Sequence, residues 1–530
     1  MQKNAFWLAV LLTGCFWQVL PGNTPQTVAQ GVLDHLYATN GNYRFKKPRL
    51  TISTENNKVA AFSPWKNAII LDQKAYEICR SFGRDSLSAL AYILGHELVH
   101  AYQAELKSGR LQTNFLAYNR QYSADTRLEK VADVQGLFNA WLAGYQVLNV
   151  MPQVIERIYR DYGLTGKILP GYPTLDARKT TSGEVLAIAQ DLCDVFEASS
   201  YLLVIGRYSL AGAGYEYIMQ YYQGAEVQNN LGIAYVLSAQ EFWNPQTDFF
   251  IYPIEADWHT KLARAASRGQ DQLDPTLEPL RADFLEKAAA RFRAVAGMNT
   301  GYLPARINLV CALNLMGRPA EALKYAEMNL LKHLGGRKKA KGQTPEMIEL
   351  ALGITYALLP GGVRKGEAEA IFKRLSGSGY PLSALYAQQN LQSLHGASAN
   401  ANVRAELPLP QVFRQQISQM ELGRTSGLER VALDAGQELF FAKKNDRSDL
   451  ATFVFSNRRG NLVSLLRVQT GQQPDAAIVA PGEDLPASAY RNIMPARDGF
   501  YLKSPANKAV LKVDAKGRVL ELVKYVEHGQ

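Results

Sequence analysis

Cysteine is scarce in this chain of 530 residues, which carries only Cys15, Cys79, Cys193 and Cys311. No two of them stand at the spacing of a metal ribbon or a redox pair, and their scatter offers no disulfide framework. Cys79, Cys193 and Cys311 therefore read as small core residues. Long apolar runs are missing as well. Beyond the N-terminal segment no stretch reaches the ~18 uninterrupted apolar residues of a membrane span, so the sequence predicts a soluble body, anchored at most at its front. Basic residues outnumber acidic ones, 58 to 48, for a net charge of +10. No motif arranges that charge for nucleic acid, which is not an expected partner. The sharpest basic cluster, Arg337-Lys338-Lys339-Ala340-Lys341, lies between Gly335, Gly336 and Gly342 and reads as a solvated loop.

Histidine is also rare, with 7 in the chain, yet two of these fall in His96-Glu97-Leu98-Val99-His100. A helix turns once in about 3.6 residues, so two histidines four apart leave one face together and can share a metal ion. Glu97 beside them can take a proton from a metal-activated water, and the combination is the H-E-x-x-H signature of zinc peptidases. The lead-in from Ser86 to Gly95 has apolar residues at three and four spacing, which predicts a long buried helix starting at Asp85 or Ser86. Catalytic zinc usually takes three protein ligands. The segment after His100 lacks the glycine and third histidine of the metzincin pattern, so a carboxylate on a second helix is expected instead. Glu129, 29 residues beyond His100 (129 − 100), is the expected third ligand, with Asp125 as the fallback. Asp133 shares its helical face and is placed to accept the free ring N–H of a ligating histidine.

These residues, together with Ala132 and Gly136 in an E-x-x-A-D-x-x-G pattern, resemble the gluzincin metallopeptidase family of the HtpX and CAAX-prenyl-endopeptidase type. The layout is similar to that of periplasmic protease-chaperones of the BepA kind. The resemblance covers roughly residues 30 to 180. It implies a zincin-like α+β domain with zinc on His96, His100 and Glu129 and Glu97 as general base. The family often continues with H-P-x-x-x-x-R. Here Tyr172-Pro173-Thr174-Leu175-Asp176-Ala177-Arg178 puts Tyr where the family has His. Two roles stand open for Tyr172: its hydroxyl donates to the oxyanion of the tetrahedral intermediate, or it packs beside Pro173 in a turn. Arg178 is carried over with the motif as a site residue. Upstream, short strands are expected at 49–54, 59–62 and 67–72, similar to the small sheet that precedes the active helix in the family. An edge strand there can align an extended peptide by strand addition.

The N-terminus addresses location. Met1-Gln2-Lys3-Asn4 followed by an apolar core from Ala5 to Leu12 has signal-peptide form, and Leu12-Thr13-Gly14-Cys15 has that of a bacterial lipobox. Either a lipid anchor at Cys15 or ordinary cleavage near residues 21–24 places the protein in a bacterial cell envelope, periplasmic or membrane-anchored. The expected organisation is a signal at 1–23, a metallopeptidase domain at 25–185, helical repeats at 190–396, a linker at 397–430 and a β-rich domain at 431–530. The fold class is mainly α with α+β parts. The helical stretches around Asn308–Leu323 and Leu352–Phe372, and Asn230–Tyr235 with a displaced partner at Ala288 and Phe292, resemble tetratricopeptide repeats. An irregular helical bundle is the alternative. Such repeats stack into a concave surface for peptides or partner proteins. Strands are expected around Phe440, Phe453, Leu465, Tyr501, Val510 and Val519, the last two joined by a turn at Lys516-Gly517.

The sequence therefore points to an exported zinc endopeptidase of unfolded or misassembled envelope proteins, with repeats that bind substrate or partner. The alternative is a non-catalytic or weakly catalytic repeat scaffold or chaperone of the envelope.

Overall fold

The structure, a computed structural model, describes residues 24–106, 126–166, 174–242, 244–254, 277–334, 343–396, 430–447, 450–469, 493–496, 499–504, 508–514 and 519–527. Cys15 and the signal segment, Asp125, Tyr172, the basic run 337–341, the turn at Lys516-Gly517 and most of the linker lie outside these residues. The chain divides into two compact units, Met1–Thr39 with Phe45–Ala189, and Asn40–Arg44 with Gln190–Gln530.

In the first unit, α1 (Pro25–Asn40) precedes β1 (Arg49–Ser53), β2 (Ala60–Ser63) and β3 (Ala68–Asp72), close to the three strands expected. The sheet order is β1-β3-β2, with β1 parallel and β2 antiparallel to β3, so β1 and β2 are its edges. Asp72 closes the loop before β2. Its Oδ2 accepts the N–H groups of Lys58 and Val59, both at 2.8 Å, and the Tyr162 hydroxyl at 3.0 Å. Val59 holds φ at +63°, which is unfavourable for a β-branched residue, and the Asp72 bonds keep it there.

The helices follow: α2 (Gln73–Arg80), α3 (Ser86–Leu106), α4 (Thr126–Leu142), α5 (Val147–Asp161) and α6 (Leu175–Ile205), whose residue 189 ends the first unit. Ala- and Leu-rich sequence makes α3 a good helix. It is buried on every side from Ser88 to Ala104, because β2, α2, α4 and α5 all pack on it. A helix so enclosed holds its polar residues at fixed positions.

The crossing of α3 and α4 depends on two glycines. A Cβ on Gly136 would lie 2.8 Å from the backbone of Gly95 and His96, and one on Gly95 would lie 3.0 Å from the Gly136 carbonyl. Backbone touches backbone at that point, and no other residue type leaves the room.

The second unit continues with α7 (Tyr208–Met219), α8 (Ala225–Ala239), α9 (Glu278–Met298), α10 (Leu303–Leu315), α11 (Pro319–Asn329), α12 (Gln343–Leu358), α13 (Lys365–Leu375) and α14 (Pro381–Leu394). Neighbours in sequence pack as hairpins, and two of them use the same device. A Cβ on Gly232 would fall 2.5 Å from the Phe292 ring, and one on Gly353 would fall 2.7 Å from the Phe372 ring. Each glycine is the socket for a fully buried phenylalanine. Arg281 of α9 is buried too, and forms a bidentate pair with Asp248 at 2.7 and 3.0 Å. It also donates to the carbonyls of Ala239, Phe242 and Leu315, tying the 244–254 segment to α8 and α10.

The same unit ends in an antiparallel sheet of β4 (Arg430–Ala432), β5 (Leu439–Arg447), β6 (Leu450–Asn457), β7 (Gly460–Gln469), β8 (Ile493–Ala496), β9 (Gly499–Ser504), β10 (Ala509–Asp514) and β11 (Val519–Glu527). Its order, β4-β5-β6-β7-β11-β10-β9-β8, joins two four-stranded meanders along β7 and β11. Phe441, Phe453 and Phe455 form its aromatic core. Ion pairs from Lys443 and Arg467 to Asp194 and Glu197 attach the sheet to the C-terminal half of α6. The architecture is thus mainly helical with a small antiparallel sheet region, the coarse class expected. No helix among the described residues is long and apolar enough to cross a membrane. Cys79, Cys193 and Cys311 are buried.

Candidate metal centre

The centre is built from two helices and the start of a third, all in the first unit. Helix α3 carries His96, Glu97 and His100, α4 carries Glu129 and Asp133, and Arg178 stands in the first turn of α6. Glu129, Ala132, Asp133 and Gly136 sit at i, i+3, i+4 and i+7, one stripe of a helix, and the glycine crossing brings that stripe against α3. All the sequence-derived site residues that fall among the described residues are brought together; Tyr172 is not among them.

Three ligand atoms converge. The Nε2 atoms of His96 and His100 are 3.0 Å apart, and each is 3.4 Å from Glu129 Oε2. Ligands about 2.0–2.1 Å from a tetrahedral ion stand about 3.3 Å from one another, so this triangle has the size of a tetrahedral face. Among the described residues it is the one group of three or more His, Cys, Asp or Glu arranged to hold a metal.

The far side of each imidazole fixes its tautomer. His96 Nδ1 donates to Asp133 Oδ1 at 2.8 Å, and His100 Nδ1 donates to Gln103 Oε1 at 2.8 Å. Both acceptors lack a proton to give, so in the neutral rings both Nε2 lone pairs face inward. Asp133 is itself gripped by Arg178, whose Nη1 lies 3.0 Å from Oδ2 and whose Nη2 donates to Oδ1 at 3.3 Å and to the Tyr92 hydroxyl at 3.3 Å.

Electrostatics make the same demand. Glu97, Glu129, Asp133 and Arg178 are at most 6% exposed. With neutral imidazoles, three carboxylates against one guanidinium leave a charge of −2 (−3 + 1) on those four groups. A buried net charge of that size is unstable without a counter-charge, which protons or one divalent cation supply. In the metal-free protein one such proton is held tightly, on His96. Burial pushes His96 down, but Asp133 and Glu129 overcome it and raise its pKa to about 10. Burial pushes Glu129 up, but His100 and His96 hold its carboxyl well below the usual range. Burial likewise opposes ionisation of Asp133, and Arg178 and His96 outweigh it, so its pKa is lowered.

The donor set fits zinc. Two nitrogens and one carboxylate oxygen make a tetrahedral face of a kind that zinc accepts. Three contributors escaped the sequence reading: Gly95, Tyr92 and Gln103. A small residue one before His96 and a polar residue three after His100 on the same helical face are the signals that mark Gly95 and Gln103. Comparison with protein-family models and with curated proteins returns no match to this chain.

Proposed function

We propose that the chain is a zinc-dependent endopeptidase, with zinc held by His96, His100 and Glu129. The observation that carries this reading is the buried triangle of ligand atoms at tetrahedral separations, with the non-ligating carboxylate Glu97 buried next to it on the same helix. Zinc bound there supplies Lewis acidity, lowering the pKa of water and polarising a peptide carbonyl. Glu97 accepts the proton of the attacking water and passes it to the leaving amine. Asp133 keeps His96 in the tautomer whose Nε2 faces the ion, and Arg178 holds Asp133 in place and offsets its charge.

Substrate geometry follows from the sheet. Strand β2 is an edge packed on α3, and an extended peptide can add to that edge. Unfolded or misassembled protein suits such an edge better than a compact domain does. In this reading the first unit is a zincin-like domain, and the Gly–Phe hairpins of the second are tetratricopeptide-like and hold substrate or a partner. In the same reading residues 1–23 are an export signal, with or without lipid on Cys15, and the work is done in a bacterial envelope. A scaffold with an idle metal site is the competing proposal, and Glu97 counts against it, since a structural site has no use for a buried carboxylate that is not a ligand.

The test is zinc per chain, together with peptide cleavage, in the parent and in Glu97→Gln and Glu129→Ala. One zinc in the parent, much less in Glu129→Ala, and full zinc with a loss of about 10²–10⁴ in turnover for Glu97→Gln is the expected pattern. A well-folded parent without zinc ends the peptidase reading. Undiminished cleavage by Glu97→Gln removes Glu97 from its role.

A further inference from the structure

The two histidines are held differently, and the difference singles out Gln103. His96 leans on a carboxylate, Asp133, whereas His100 leans on a neutral amide. Gln103 comes from the same helix as His100, three residues on, and is 9% exposed. Its Oε1 accepts from His100 Nδ1 at 2.8 Å, while its Nε2 donates to the Leu128 carbonyl at 3.2 Å. Leu128 is the residue immediately before Glu129, in the first turn of α4.

An amide that rotated by half a turn would set its NH₂ against a ring N–H and its oxygen against a carbonyl. The Leu128 carbonyl thus fixes the orientation of the amide, and the amide fixes the tautomer of His100. The same side chain joins the backbone of one ligand to the ring of another across two helices. We infer that Gln103 is a positioning residue of the metal centre, setting the His100 Nε2 lone pair and the seat of Glu129 at once. This rests on the zinc reading above.

A neutral acceptor serves the site in a further way. A second carboxylate at this position would deepen the buried charge from −2 to −3, beyond what one divalent ion neutralises. The amide supplies the orientation of an Asp–His pair without its charge.

The experiment compares zinc affinity, by competition with a chromophoric chelator, in the full chain and in Gln103→Met and Gln103→Glu, with near-ultraviolet circular dichroism and the metal-free unfolding midpoint as controls. Met preserves volume and removes both hydrogen bonds. Glu restores an acceptor for His100 Nδ1–H but offers no donor to Leu128. Gln103→Met should bind zinc about 10- to 100-fold more weakly than the parent, with little change in the metal-free midpoint. Gln103→Glu should recover part of that loss. A folded Gln103→Met that binds zinc within about twofold of the parent overturns the inference and leaves the zinc reading standing. Equal losses in both variants also overturn it, since a packing defect treats Met and Glu alike. A folded parent that binds no zinc overturns both.

Discussion

Among the described residues, a buried cluster of charge in one unit and a buried cluster in the other are finished differently. Around Arg281 the groups are saturated: a bidentate carboxylate from Asp248, the Thr247 hydroxyl and three backbone carbonyls receive the guanidinium, and the pair is neutral. Around His96 and His100 the outward ring nitrogens are likewise held, by Asp133 with Arg178 behind it and by Gln103, but the inward atoms face one another across 3.0–3.4 Å, with net negative charge when the imidazoles are neutral. The first cluster has nothing left to bind. The second still needs a counter-charge, which protons or a divalent cation can supply, and in the zinc reading proposed above that separates a polar core that specifies a fold from one that specifies a site.

The largest effect expected is from breaking the saturated cluster. Arg281→Met strands the buried Asp248 carboxylate and should destabilise the second unit by about 3–5 kcal/mol, measured by urea unfolding, with zinc content unchanged. Replacing both partners, Arg281→Met with Asp248→Leu, should recover most of that loss, because an apolar pair of similar volume has no charge to desolvate. The corresponding double change in the first unit, Arg178→Met with Asp133→Leu, should not restore zinc binding, since His96 then has no acceptor for its Nδ1–H. If the Arg178 and Asp133 replacements together leave zinc affinity intact, the two clusters are of one kind and the distinction fails.

A smaller effect should come from the glycines, which close the helix contacts in both units. Gly136→Ala drives a Cβ into the Gly95 and His96 backbone, which can yield only if α3 and α4 part. A loss of about 1–3 kcal/mol is expected, accompanied by weaker zinc binding, because Glu129 and Asp133 retreat from the histidines. Gly232→Ala meets the Phe292 ring instead and should cost a similar amount with zinc affinity unchanged. Equal zinc affinity in the two variants would show that the crossing of α3 and α4 does not set the ligand geometry.

What the sequence discloses about these clusters follows from distance along the chain. His96, Glu97 and His100 lie within one turn and a half of helix, so their shared face is legible from five residues. Glu129 and Asp133 are legible because their own spacing repeats that geometry, although only the fold shows which helix they meet. Gln103 and Gly95 look like ordinary residues of a buried helix until α4 is laid across them. Arg281 is harder still. An arginine in an amphipathic helix reads as surface, and its partner Asp248 lies 33 residues away (281 − 248), beyond α8 in a segment with no periodic pattern. The strands of the C-terminal sheet show in their apolar and aromatic alternation, except for the short β4 and β8. The β7–β11 pairing does not show, since hydrophobic alternation gives a strand its faces and not its neighbour.

The finest test of the difference between the clusters is the way pH acts on stability with and without metal. In the metal-free protein His96 keeps its proton to about pH 10, against 6.5 for a histidine in water. A folded-state pKa above the unfolded one means that this proton stabilises the fold fully below pH 6.5, and that the contribution is lost as pH rises toward 10. In the proposed site zinc would take the place of the proton on Nε2, so the loaded protein would have no such contribution to lose. The urea midpoint of metal-stripped protein should therefore fall across that window, while the zinc-loaded midpoint falls less and the gap between them widens with pH. Zinc uptake at neutral pH should release protons into a weak buffer, with affinity falling as pH is lowered. Parallel curves for the two forms, with no proton release, would mean that zinc and the His96 proton do not compete. The converging lone pairs of His96, His100 and Glu129 would then not be where the metal binds.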